Sequence, residues 1–319
     1  MGMILKRLPA LILLGGLVFA AAQFEEIRDW WWLRNYQPSA QIQALADRAG
    51  LSETGRRSFY LGRPQVDDKL GFQAHCPVGE AEGSLVLGCY NQRRIYILEV
   101  GRPELAKVME VTAAHEMLHA AYERLDEEER GRVDRQLEQF YVQVANPELD
   151  QVLEDYERTE PGQRLNELHS LLPTQIPSLS PELETYYGRY FTNQDQVANA
   201  YLAYQGVFKN LQAQIDGLNT DINSLRAEIT SLEEAIASRR SQIDSQGEEL
   251  DSLRESGQTE EYNARVPAYN ASVREYNGMI SRYRDLIALH NSKVDQLNQL
   301  ALEQNELVNS LDSKFAPLD

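Results

Sequence analysis

Positive charge is scarce in this 319-residue chain: 31 lysines and arginines stand against 49 aspartates and glutamates, for a net charge of −18. No basic cluster interrupts that balance, which excludes nucleic acid or an anionic membrane surface as the main partner. Cysteine is almost missing, with two residues, Cys76 and Cys89. A Cys/His metal site built from His75, Cys76 and Cys89 therefore lacks a fourth ligand. Long apolar runs are missing too. The longest apolar run near the amino terminus, Leu8 to Ala22, is fifteen residues, short of the roughly 20 that a spanning helix needs. Histidine is rare as well, with 5 residues, so two of them at metal-binding spacing carry information.

What is present at the amino terminus is Lys6-Arg7 followed by that apolar run, the pattern of an export signal whose amino end stays in the cytoplasm. Ala20-Ala21-Ala22 before Gln23 fits cleavage by a signal peptidase. Phe24 and the aromatic triplet Trp30-Trp31-Trp32 fit an uncleaved anchor with a belt at the outer interface. Both readings stay open. Either way the rest of the chain is expected outside the cytoplasm, periplasmic or at the cell surface, anchored or secreted, with membrane contact confined to the N-terminal segment. In that oxidising compartment Cys76 and Cys89 are expected to form a disulfide, worth about 3 kcal/mol in the chain-entropy account.

The pattern along the chain predicts an α+β protein. Residues 1–24 form the signal or anchor, 25–57 a helical segment, 58–200 a small mixed-content domain, and 201–319 a helical hairpin. Short β-type runs at Ser58–Leu61, Ser84–Leu87 and Arg94–Val100 predict a short antiparallel sheet. Pro103 opens a helix to about Leu125. Further helices are expected at 127–144, 147–158 and 162–172, then a loop marked by Pro173, Pro177 and Pro181, then a helix holding Tyr186, Tyr187 and Tyr190. From Phe208 apolar residues recur at spacings of three and four as far as Leu253. Ser256-Gly257 breaks the pattern, and a second seam runs from Val266 through Tyr269, Tyr276, Tyr283 and His290 to Val308 and Leu311. Such seams are those of a coiled coil. Two arms of similar length predict an antiparallel hairpin, with a parallel dimer of one interrupted helix as the alternative.

The helix after Pro103 carries the chemistry. It contains His115-Glu116-Met-Leu-His119, and histidines four apart on a helix share one face, so both imidazoles reach one metal ion. Glu116 follows the first ligand directly, where it meets a metal-bound water rather than the metal. A catalytic zinc site keeps three protein ligands, and the candidate for the third lies in Asn166-Glu167-Leu-His169-Ser170. Glu167 and His169, two apart on a helix, face nearly opposite ways, so one of the two is the ligand. Taken together these motifs, over about 58–190, resemble a gluzincin-type zinc metallopeptidase of the zincin group. The resemblance implies zinc held by His115, His119 and Glu167, Glu116 as general base, Tyr186 or Tyr187 as an oxyanion donor, and an extended peptide or protein substrate beside the strand Arg94–Val100. It also implies an aspartate four residues after the glutamate ligand, and Leu171 stands there instead, so the partner that orients a histidine must come from elsewhere. Within this reading the coiled coil engages a cell-envelope partner or a large substrate. The competing expectation is a non-catalytic envelope scaffold with a structural or degenerate zinc fold.

Overall fold

A computed structural model describes residues 24–76 and 86–314. The expected run Ser84–Leu87 falls partly outside these residues; its last two positions have no regular structure. The chain divides into two compact units, one comprising 1–207 with 307–319 and the other 208–306.

The first unit begins with helices α1 (Phe24–Asn35), α2 (Ala40–Arg48) and α3 (Glu53–Leu61). Ser39 and Ser52 cap α2 and α3, their side chains accepting from the backbone N–H of Ile42 and Gly55. The run Ser58–Leu61 is helical rather than a strand. Its aromatic content suggests strand locally, but the Ser52 cap starts a helix and Gly55, Ser58 and Phe59 bury one face of it at helical spacing. Next come β1 (Gln65–Asp67), α4 (Lys69–His75), β2 (Gly88–Asn91) and β3 (Arg94–Leu98). The sheet has the order β1-β3-β2, with β1 parallel to β3 and β2 antiparallel to it. It is therefore mixed rather than antiparallel: the stretch between β1 and β3 supplies the crossover that a parallel pair needs.

A 3-10 turn at Pro103–Leu105 leads into α5 (Val108–Tyr122), the helix with the two histidines. It is buried on nearly every side, from Val108 through Ala121, as expected of a helix apolar all round. After it come α6 (Glu127–Val144), α7 (Pro147–Thr159), α8 (Arg164–Gln175) and α9 (Pro181–Tyr187), of which α8 packs directly on α5. Residues of α2 and α3, including Leu45 and Phe59, share one core with Met117, Leu118, Leu137, Leu168 and Tyr187. Helix α8 runs through Pro173 instead of ending there. Proline lacks the N–H that would bond to the His169 carbonyl, and the Tyr187 hydroxyl donates to that carbonyl at 2.8 Å in its place.

Two long helices, α10 (Gln194–Glu255) and α11 (Thr259–Leu311), complete the described chain. Gly257, at φ +72°, makes the turn between them. Within the second unit they run antiparallel: Lys293 pairs with Asp221 at 2.9 Å, Arg239 with Glu275 at 2.7 Å and Arg265 with Glu249 at 2.5 Å, and Arg282 meets Glu228. The seam from Leu211 to Leu253 is buried or half-buried throughout. Near the end the pattern departs from the expected one. Val308 is exposed, whereas Leu307 and Leu311 are buried, because these last residues belong to the first unit. There Lys69 Nζ donates to the Asn309 carbonyl and Gln73 Nε2 to that of Ser313, each at 2.5 Å.

Candidate metal centre

Helices α5 and α8 bring three side chains together. The Nε2 atoms of His115 and His119 are 3.0 Å apart. Glu167 Oε2 lies 3.6 Å from the first of them and Oε1 3.6 Å from the second. Donors bound at about 2.0–2.1 Å to one tetrahedral ion stand roughly 3.3 Å from each other; each of these separations is near that value, and one ligand atom from each of the three residues lies within 4.8 Å of the others. His119 and Glu167 are buried and His115 is half-buried.

The surroundings prepare these atoms for a cation. Asn166 Nδ2 donates to Gln163 Oε1 at 3.2 Å, which turns its Oδ1 toward His119 Nδ1 at 3.0 Å. Ser170 Oγ lies 3.3 Å from the same Nδ1 while its hydroxyl donates to the Asn166 carbonyl. The His119 proton is thereby held on Nδ1, and Nε2 presents its lone pair to Glu167 and His115. This supplies the orienting partner that Leu171 cannot. Glu167 Oε2 is buried without a hydrogen bond, an arrangement costly for a carboxylate unless a cation shares the site. Burial acts to raise the Glu167 pKa, but His119 and His115 outweigh it and hold the carboxyl below its ordinary range. The group His115, His119 and Glu167 can hold a metal ion.

His169 points away from this group. It is wholly buried, its Nε2 bonded to the Tyr186 hydroxyl at 2.9 Å, and it packs against Tyr122 and Tyr187. Burial, assisted by His119 and His115, pushes its pKa down to about 3, so it is neutral. Tyr186 and Tyr187 are thus spent on His169, one at its ring and one at its carbonyl, and neither lines the cleft over the three ligand atoms. The tyrosines that do are Tyr90 and Tyr156, and Tyr90 donates to Glu123 Oε2 at 2.5 Å.

Glu116 lines the same cleft, buried beside the ligand group without joining it. Burial pushes its carboxyl up to about 8; His119 opposes this, while Glu167 and Glu160 add to it. Against it lies Gly88, where a Cβ would fall 2.7 Å from Glu116 Oε1 and 2.4 Å from Thr112 Cγ2. Only glycine lets β2 approach α5 this closely. All of β2 lines the cleft, and it is an edge strand of the sheet, with one side unpaired among the described residues. Strand β3, expected beside the substrate, is central and bonded on both sides. Cys76 and Cys89 form a disulfide with a Cα–Cα distance of 6.0 Å, joining the end of α4 to β2, and both line the cleft. Among the described residues the ionisable lining consists of the two histidines with Glu116, Glu160 and Glu167, and holds no lysine or arginine.

Gly88 and β2 are the site elements that the sequence reading missed. The one signal for them is the glycine directly before Cys89. Compared with known protein families, curated proteins and solved structures, the chain matches none.

Proposed function

We propose that this chain is an extracytoplasmic, zinc-dependent metallopeptidase of the gluzincin type, with its helical hairpin engaging an envelope partner or a large substrate. The observation that carries this reading is Glu116, an acid buried in the cleft beside three metal-binding side chains and not one of them. A structural metal site has no use for such a group. Two imidazoles and one carboxylate suit zinc and leave a fourth position open. When bound, the ion supplies Lewis acidity and lowers the pKa of a water in the site.

The chain's own residues do the rest. His115, His119 and Glu167 hold the ion, and Asn166 and Ser170 hold His119 in the ligating tautomer. Glu116, whose ionised form a cation in the site favours against burial, takes a proton from the attacking water and returns it to the leaving amine nitrogen. The unpaired edge of β2 offers backbone donors and acceptors to an extended peptide. Tyr156, which lines the cleft, is the candidate donor to the developing oxyanion.

The test is Glu116→Gln. It should keep about one zinc per chain by metal analysis and lose digestion of a peptide library, by roughly 10²–10⁴-fold if the carboxylate is the general base. Undiminished hydrolysis in that variant would refute the assignment. A wild-type chain that binds zinc and cleaves nothing would transfer the reading to a scaffold.

A further inference from the structure

Helix α1 presents its apolar side chains to the outside. Ile27, Trp30 and Trp31 are 56%, 54% and 61% exposed. They fall at i, i+3 and i+4 on one stripe, and Arg34 continues it with its guanidinium 5.3 Å from the Trp30 ring centroid. The opposite side of α1 is fastened to the first unit by polar and aromatic contacts. Asp29 pairs with Arg124 at 3.6 Å, Arg63 lies 3.3 Å over the Trp32 ring, and Tyr36 connects Trp32 to Tyr60. A helix held down by its polar residues while two tryptophans face outward is the reverse of ordinary amphipathic packing, and contiguous exposed apolar surface of this kind marks an interaction site.

We infer that this stripe rests in the interfacial layer of a phospholipid bilayer. The apolar run Leu8–Ala22 ends one residue before α1 begins, so in the uncleaved reading the sequence places a membrane-inserting segment next to the stripe. Tryptophan favours that layer, its ring among the upper acyl chains and its N–H at headgroup level. Arg34, the one charge on the stripe, reaches headgroup phosphate. A single short apolar segment holds a protein weakly, and a second membrane contact makes attachment stable. With a net charge of −18, the chain suits a zwitterionic surface rather than an anionic one. The face therefore fixes how the first unit meets the membrane, whichever reaction its cleft performs.

All three tryptophans of the chain lie at positions 30–32, so tryptophan emission, excited selectively over tyrosine, reports on this helix alone. The full chain carrying Trp32→Phe, reconstituted into phosphatidylcholine vesicles, should show emission shifted to the blue. Lipids brominated near the headgroup should quench it more than lipids brominated near the chain ends. The double variant Trp30→Ala/Trp31→Ala, in which only Trp32 emits, should show neither effect while keeping its helical circular dichroism. Emission from Trp30 and Trp31 that vesicles leave unchanged and aqueous iodide still quenches would overturn the inference. A blue shift that appears without lipid and grows with protein concentration would also overturn it, assigning the stripe to a second copy of the chain.

Discussion

The two compact units treat polar groups in opposite ways. The first buries Glu110, Glu116, His119, Glu167 and His169, each a group whose desolvation must be offset by a specific partner. The hairpin buries aliphatic side chains such as Leu211, Ile222, Ile229 and Leu250, and among polar residues only Ser272. Its ion pairs sit at the surface and act on register more than on stability. Ionisable groups are expensive to bury, so a unit that buries five is organised around something other than stability. The group that can hold a metal ion lies in the first unit.

The sharpest way to break this contrast is to remove a ligand. Glu167→Ala should weaken metal binding by more than the 10–100-fold that loss of a ligand's hydrogen-bonding partner costs. His169→Ala, two residues away, should leave the metal content unchanged. Metal analysis after dialysis against a weak chelator separates them, and the opposite result would make His169 the ligand. Asn166→Ala should come next, with affinity lower by about 10–100-fold because His119 loses the acceptor that sets its tautomer. Chelator competition measures this, and unchanged affinity would remove Asn166 from the site.

The third effect depends on acid. The folded-state pKa of His169 lies below its unfolded value of about 6.5, down at about 3. The stability tied to neutral His169 is complete above pH 6.5 and is lost as pH falls toward 3, by up to about 1.4 kcal/mol per unit. Urea unfolding of the metal-free protein at several pH values should show that slope, and His169→Gln should flatten it. A slope equal in both proteins would assign the acid sensitivity to other groups. The smallest effect is expected in the hairpin, where Lys293→Ala breaks the exposed pair with Asp221 and should cost at most about 1 kcal/mol with no change in metal binding. Loss of metal in that variant would show that the two units are energetically coupled.

Much of the site can be read from two short strings, because helical periodicity turns spacing directly into geometry. His115 and His119 face one ion, and Asn166, Glu167 and Ser170 lie on one side of α8 with His169 on the other. The cleft wall was not legible in this way. Strand β2 reaches Glu116 through a contact that spans 28 positions of sequence, and nothing local announces it. Its turn was hidden as well: Gln92 and Arg93 both take positive φ, 49° and 61°, a conformation that sequence signals reserve for glycine or asparagine. The same limit governs the fold. The seams of the hairpin are periodic and were legible, up to the point where Val308 gives way to Leu307. The Ser58–Leu61 run and the continuation of α8 through Pro173 depend on a cap and on a distant tyrosine hydroxyl.

The disulfide between Cys76 and Cys89 has a consequence for the integrity of the chain itself. Cys76 at one end of the stretch and Val86, Gly88 and Cys89 at the other line the cleft, and if the proposed endopeptidase activity holds, other copies of the chain could cut there. A cut anywhere within that stretch leaves both fragments covalently joined through sulfur. The nicked protein would still migrate as one band until reduced, with β2 still tethered to α4.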